Sequence, residues 1–240
     1  MNKILALDSS TEACSVALQC GPVLHSRFEV APRRHAELLL PMIDSLLAEA
    51  GIRLTDLDAL VYGRGPGAFT GIRIAVSIAQ GLAFGADVPT LGISGLQAMA
   101  QAAAEEAGRG GHSAERVLVA LDARMGEIYT GAFEQDRDGL LQLVGDERVI
   151  PPAELALPAS WKAQSALATG NGWQVYRDSL PVLSASELMM ESGQRFPDAA
   201  FMLQLAKPLL EAGEAVPAEQ ARPVYLRNQV ARKSVKKPLQ

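Results

Sequence analysis

Ile4-Leu5-Ala6-Leu7-Asp8-Ser9-Ser10-Thr11 sets four apolar residues before an aspartate and three hydroxyl residues. So short an apolar run, halted by side chains that hydrogen-bond their own backbone, reads as a buried strand entering a tight turn. Ala13 to Gln19 resumes an apolar run with Val16 and Leu18, Gly21-Pro22 makes the next turn, and Val23 to Val30 gives a third strand. From Arg33 the period lengthens from two to about 3.6. Leu39, Ile43, Leu46, Leu47 and Ala50 then share one stripe, with Gly51 as the stop, so a helix of about 17 residues follows. Leu57 to Tyr62 reads as a buried strand, and Gly63-Arg64-Gly65-Pro66-Gly67 as a loop leading into a helix from Thr70 to Phe84. Ile72, Ile74, Ala75, Val76, Ile78, Ala79, Leu82 and Ala83 lie all round that helix, which must therefore be covered on more than one side. Asp87 to Leu91 makes a short strand, and Ser94 caps a third helix reaching about Ala107.

The glycine-rich stretch from Gly108 to Ser113 is the best candidate linker. Beyond it, Val117 to Asp122, Gly126 to Phe133 and Leu140 to Val149 repeat the opening order, including a strand that ends in aspartate. The expected division is 1–107 and 114–221, followed by a basic tail, 222–240. Two β-β-β-α units in tandem resemble the plan of the actin, Hsp70 and sugar-kinase superfamily, so the expected fold class is α/β, an actin-like (ribonuclease H-like) ATPase fold. Pro151-Pro152 is read as opening a helix, Ala166 to Thr169 as a short strand, and Pro197 to Glu211 as a helix.

With 240 residues, 48% apolar and 20% charged, the composition is that of a globular protein and excludes disorder for most of the chain. A formal charge of −5 and 5% aromatic residues argue against a generically basic nucleic-acid binder or a platform of stacked aromatics. Cys14 and Cys20 sit six apart on one strand, roughly 20 Å from each other, too far to pair, and a reducing cytosol fits. Only four apolar residues separate Lys3 from Asp8, too few for a secretory signal, and no stretch approaches the roughly 18 uninterrupted apolar residues of a membrane span. After Glu219 there is no acid, whereas Arg222, Arg227, Arg232, Lys233, Lys236 and Lys237 give the tail +6 and leave −11 on the rest. Such a tail is a solvated end or a contact for a polyanion or an acidic partner.

Asp8, with Ser10 and Thr11 in the turn after it, could orient a metal-bound water and offer donors to phosphate oxygens, although the same residues are good turn formers. Asp122 stands at the matching place in the second half. Its turn, Asp122-Ala123-Arg124-Met125-Gly126, carries long side chains that hinder phosphate approach. The glycine loop at 63–67 leads to a helix N-terminus, which favours an anion. It lacks the Lys-Ser/Thr pair of a Walker A loop, and Gly67 follows Gly65 too closely for GxGxxG, so a plain tight turn explains it equally. The nucleotide-binding candidates are Asp8, Ser10, Thr11, Gly65 and Gly67. His25, His35 and His112 are isolated, and Glu105, Glu106, Asp136 and Asp138 read as solvated charge. No catalytic residue and no metal ligand is assigned.

The segments Ile4–Thr11, Gly63–Arg73 (GRGPGAFTGIR), Ala120–Tyr129 (ALDARMGEIY), Gly170-Asn171-Gly172 and Pro223–Arg227 (PVYLR) together closely resemble the TsaB (YeaZ) family over almost the whole chain. The resemblance implies a bacterial partner subunit in the synthesis of threonylcarbamoyladenosine at adenosine 37 of tRNA. It implies a heterodimer with TsaD, which transfers threonylcarbamoyl from its adenylate to N6 of adenosine, with the ATPase TsaE joining the pair. It further implies tRNA met through the complex; the apolar helices add the expectation of a homodimer when TsaD is absent, and the cysteine and hydropathy readings that of a cytoplasmic setting and no membrane. No cofactor is then required, and ATP or ADP would bind weakly or at the complex interface. The TsaD pattern holds its metal with His-x-x-x-His, and here Gly95 and Met99 occupy those places. A chain without the imidazoles has no evident Lewis acid and reads as a scaffold rather than an enzyme. Its expected partner-binding surface is the pair of apolar helices, through Leu38, Leu39, Met42, Leu46, Ile74, Ala75, Ile78, Ala79 and Leu82, where the small residues Ala75, Ala79 and Ala83 would admit a partner helix closely. The alternatives are that the C-terminal half covers these helices, that the chain is a stand-alone ATP-dependent phosphotransferase, or that it is a glycoprotease-like peptidase. For the last, the sequence offers no Ser/His/Asp or metal-ligand set.

Overall fold

A computed structural model describes residues 3–112, 114–161, 165–181, 188–189 and 196–227. The opening run forms β1 (Lys3–Asp8), antiparallel to β2 (Ala13–Cys20), with Leu7 opposite Val16; β2 pairs in turn with β3 (Val23–Val30). After α1 (His35–Ala50), β4 (Ala59–Gly65) lies parallel to β1, and α2 (Phe69–Ala86) crosses to β5 (Thr90–Ser94). The first sheet has the order β3-β2-β1-β4-β5. Next comes α3 (Gly95–Arg109), and the plan repeats with β6 (Arg116–Asp122), β7 (Ile128–Gln135), β8 (Leu141–Ile150) and β9 (Ala166–Thr169). With the short α4 (Gly172–Val175), β10 (Leu188–Met189) and α5 (Ala199–Glu211), the second sheet has the order β10-β9-β6-β7-β8. Each half is thus an antiparallel three-strand unit extended by two parallel strands, as in the tandem actin-like plan.

Strand alternation decides the layers. Leu5 and Leu7 face α1 and α2, in a core with Val16, Leu18, Ile43 and Ile72, while Ile4 and Ala6 face α5 through Met202 and Ala206. α3 runs beside α5 and gives Leu96, Met99 and Ala103 to a core with Val117, Val119 and Phe133 of the second sheet. Packing therefore cuts across the division of the chain, since the late helix α5 covers the early sheet and α3 covers the late one. Trp161 and Trp173 close the outer face of the second sheet.

Several boundaries differ from the sequence reading. The strand expected at Leu57–Tyr62 begins at Ala59 and carries Gly63 to Gly65, the first three residues of the supposed loop 63–67, as its end, with both glycines buried. Asp87 is the left-handed C-cap of α2, so the next strand begins at Thr90. Pro151-Pro152 opens only a single 3-10 turn, Pro152–Glu154. Ser94 caps α3 as its spacing suggests, its hydroxyl accepting from the N–H groups of Leu96 and Gln97. Cys14 and Cys20 are both free, and burial pushes the Cys14 thiol up to about 11. α2 is long and apolar enough by composition to cross a membrane, but one side of it packs on β4.

Candidate functional site

The nucleotide-binding candidates do come together, and they fill one another's space. Asp8, Ser10 and Thr11 are buried at the end of β1. Asp8 Oδ1 accepts from the backbone N–H and the hydroxyl of Ser10, both at 3.0 Å, while Oδ2 has no hydrogen-bond partner. Burial drives the Asp8 carboxyl up to about 6, with a smaller push from Asp198. The start of α2 lies directly on this turn: Ala68 N–H donates to the Ser10 carbonyl at 2.7 Å, and Ser9 Oγ donates to the Gly71 carbonyl at 2.9 Å. A Cβ at Gly67 would stand 2.2 Å from the Ser10 oxygen, at Gly71 2.0 Å from the Ser9 oxygen, and at Gly63 1.8 Å from Asp8 Oδ2. Gly67 and Gly71 let one backbone press on another, Gly63 admits the Asp8 carboxylate, and at Gly65 the φ of +96° favours glycine. An adjoining cleft of about 230 Å³, lined by Thr11, His35, Asp122, Arg124 and Tyr129, is smaller than the roughly 300–1,000 Å³ of small-molecule sites.

Among the proposed partner-contacting residues the structure makes a division. Leu39, Leu46, Ala75 and Ala79 are wholly buried against the first sheet and are not available to a partner. Leu38, Met42, Ile74, Ile78 and Leu82 are half-buried at the outer edge of the same core. Ala83 is core as well, so the small residues facing outward are Ser77, Gly81 and Gly85, one helical turn apart. A Cβ at Gly81 or Gly85 would meet nothing within 4 Å, and Phe84 beside them is 79% exposed. The correction follows from helix phase: the sequence shows apolar residues all round α2, and only the sheet decides which third of them faces out. Among the described residues the C-terminal half covers one flank, where Ala218 and Ala221 join the core and Gln80 Nε2 donates to the Ala221 carbonyl.

The basic tail does not begin as a free end. Arg222 to Arg227 is a strap laid from the first half to the second. Arg222 N–H donates to Tyr62 Oη at 2.9 Å, and Val224 N–H donates to the Arg64 carbonyl at 2.8 Å. Arg227 then reaches the second turn, donating to the Ala123 and Arg124 carbonyls and to Glu127. Arg232, Lys233, Lys236 and Lys237 lie outside the described residues. In that second turn Asp122 Oδ1 accepts from Arg124 N–H at 2.8 Å, Asn171 Oδ1 accepts from Asp122 N–H, and Arg124 is ion-paired with Glu12 and Asp122. Sequence reasoning noted Asn171, Phe69, Arg73 and Tyr225 only as parts of motifs and Arg227 as a motif residue and a tail charge, and missed that Phe69, Arg73 and Tyr225 stack beside the strap. Their one signal was aromatic and cationic residues at spacings no single element explains.

The places of the expected imidazoles are filled. A Cβ at Gly95 would already stand 3.1 Å from Pro197, and Met99 is wholly buried with its methyl facing Gly170. His25 instead meets Glu49 at 2.9 Å, and His35 Nε2 lies 2.7 Å from the Thr11 carbonyl, where it ties α1 to the first turn.

Comparison with known proteins supplies the context for this geometry. The family model described as TsaD, tRNA N6-adenosine threonylcarbamoyltransferase, matches residues 27–234. The tRNA threonylcarbamoyladenosine biosynthesis protein TsaB of Escherichia coli is 42% identical over 97% of this chain and 98% of its own, and that of Haemophilus influenzae 41% identical over 97% and 96%. The solved structure of YeaZ from Pseudomonas aeruginosa superposes with a TM-score of 0.85 at 46% identity, covering 94% of this chain and all of that one.

Proposed function

Because the chain belongs to the TsaB family of tRNA threonylcarbamoyladenosine biosynthesis proteins, we propose that it is the non-catalytic subunit that docks a TsaD chain through the outward ridge of α1 and α2. The observation that carries this reading is the ridge itself. Leu38, Met42, Ile74, Ile78 and Leu82 line it, Phe84 stands free, and Gly81 and Gly85 leave room for a second helix to approach. Gly95 and Met99 support the non-catalytic part, because Pro197 and the core fill the space where a pair of imidazoles would reach a metal. The filled turn around Asp8 supports a chain that needs no nucleotide of its own. In this reading the protein works in the cytoplasm, TsaE joins the assembled pair, and the same ridge closes a homodimer when no TsaD is present.

The test is co-elution with TsaD and reconstitution of the modification on tRNA. Gly81→Arg puts a long side chain into open space without disturbing the fold, and Ile78→Glu charges the ridge. Both are expected to abolish co-elution and to reduce modification to the level of TsaD alone. A folded Gly81→Arg protein that still co-elutes, or modification by this chain alone, overturns the reading.

A further inference from the structure

We propose that the cavity where β7 and β8 part, on the outer face of the second sheet, binds a free aliphatic α-amino acid. Its carboxylate meets Arg148, its ammonium lies between Asp146 and the Thr130 hydroxyl, and its side chain rests on an apolar wall. The site shares no residue with the ridge of α1 and α2, so it stands or falls independently of the docking reading.

An irregularity in the backbone makes the cavity. Thr130 pairs with Arg148 and Ala132 with Val144, so Gly145, Asp146 and Glu147 face Gly131 alone. Such a surplus bends the bulged strand and re-aims its side chains, and Gly145 takes a left-handed φ of +78° within it. Glu147 turns toward the first half, where it accepts from the Ser94 hydroxyl and pairs with Arg64 at 3.5 Å. Asp146 and Arg148 are left to line a cavity of about 300 Å³ with Thr130, Leu118, Val144 and Leu157. That volume reaches the lower end of small-molecule sites, roughly 300 Å³.

Three polar groups here lack a protein partner. Thr130 is 3% exposed, and its Oγ1 is buried without a hydrogen bond, a cost for a hydroxyl withdrawn from water. Neither Asp146 nor Arg148 is ion-paired among the described residues, although they stand two apart on one strand and line the same space. Glu147, the acid between them, is engaged with Arg64 instead. The wall behind is apolar: Leu118 and Ala132 are buried, and Val144 and Leu157 pack on the same core as Trp161.

The pattern of signs chooses the ligand. A simple anion gains from Arg148 and is repelled by Asp146, and a simple cation meets the reverse. A zwitterion gains from both, and an α-amino acid carries its two charges on a single carbon. Its ammonium has N–H donors for the Asp146 carboxylate and for the Thr130 oxygen together. The cavity lining holds no other charged residue, so an aliphatic side chain fits the remaining wall.

The test titrates the full chain by calorimetry with L-alanine, L-valine and L-leucine, beside isobutylamine and isovalerate, which keep the valine side chain and one charge each. Amino-acid binding is expected at millimolar concentration, with the single-charge analogues at least about tenfold weaker than valine. Arg148→Gln and Asp146→Asn should each weaken the amino acid by about ten- to a hundredfold, the range of one charged hydrogen bond. Thr130→Val should weaken it by about two- to tenfold. The same change should leave the unfolding midpoint of the free chain unchanged or higher, because the hydroxyl it removes has no partner there; a merely structural threonine would lower it. Failure of all three amino acids to bind, equal binding of the single-charge analogues, or unchanged binding in both Arg148→Gln and Asp146→Asn overturns the inference.

Discussion

The two strand-turn-strand units begin alike and end differently. In each, an aspartate closes the first strand and its Oδ1 accepts from the N–H two residues on, at 3.0 Å for Asp8 and 2.8 Å for Asp122. The first turn is then covered by the start of α2, with Gly67 and Gly71 against its carbonyls and the Asp8 side chain wholly buried. The second turn stays open. Arg124 and Met125 adopt φ of +60° and +58°, Met125 is 64% exposed, and the turn is held from outside by Arg227 and Asn171. Identical local chemistry thus makes a sealed joint in one half and a tethered rim in the other. What distinguishes them is the backbone that approaches, not the aspartate.

If the first turn is a sealed joint, its glycines should matter more than any polar atom in it. Gly71→Ala is expected to have the largest effect, because its Cβ would sit 2.0 Å from the Ser9 backbone oxygen and only backbone movement could relieve the clash. A loss of about 3 kcal/mol or more, read from urea unfolding, would fit that overlap. A change below about 1 kcal/mol would show that the joint yields, and that the two turns are less different than their packing suggests.

The next effect in size is electrostatic and has a definite sign. Because the folded pKa of Asp8 is raised from 3.8 to about 6, the folded state holds this proton more tightly than the unfolded chain does. Between those values stability falls as pH rises, so above about pH 6 the charged, half-satisfied carboxylate is a standing penalty of about 3 kcal/mol. Asp8→Asn keeps an acceptor for Ser10 and removes the charge. Relative to the parent it should gain stability from pH 4 to pH 8 by about that amount, measured as the difference between the two unfolding curves. No pH dependence in that difference would mean that Asp8 has a solvent path or partner that the second turn shares.

Most of the architecture was legible because strand and helix periods differ and because turn residues are chemically distinctive. Asp8-Ser9-Ser10-Thr11, Gly51 and Ser94 each ended or began an element where the structure has it. The glycine loop was misplaced because Gly63 to Gly65 have no side chains to show a strand period, so the close approach of Asp8 could not be read. The docking ridge was half legible. Apolar residues at every phase of α2 fix that it is covered, but Ala75 and Gly81 are told apart only by the sheet's position, which is a tertiary fact. The strap was the least legible part, since its hydrogen bonds run from Arg222 to Tyr62 and from Arg227 to Glu127, across 160 and 100 residues, with no periodic pattern to mark them.

The smallest predicted difference lies within the open rim and separates its two arginines. Arg227 keeps 15% of its side chain exposed, pairs with Glu127 at 2.5 Å and donates to two backbone carbonyls, so its removal strands acceptors that are partly shielded from water. Arg124 reaches Glu12 and Asp122 with 71% of its side chain in solvent, where an ion pair gains little over hydration and salt screens it. Arg227→Ala should therefore cost about 1–3 kcal/mol, and Arg124→Ala less than about 1. Raising the salt concentration should erase the Arg124 effect and leave most of the Arg227 effect in place. If the two cost the same, the strap is not what fixes the second turn, and the contrast with the sealed first turn would have to come from Asn171 and the turn's own left-handed residues.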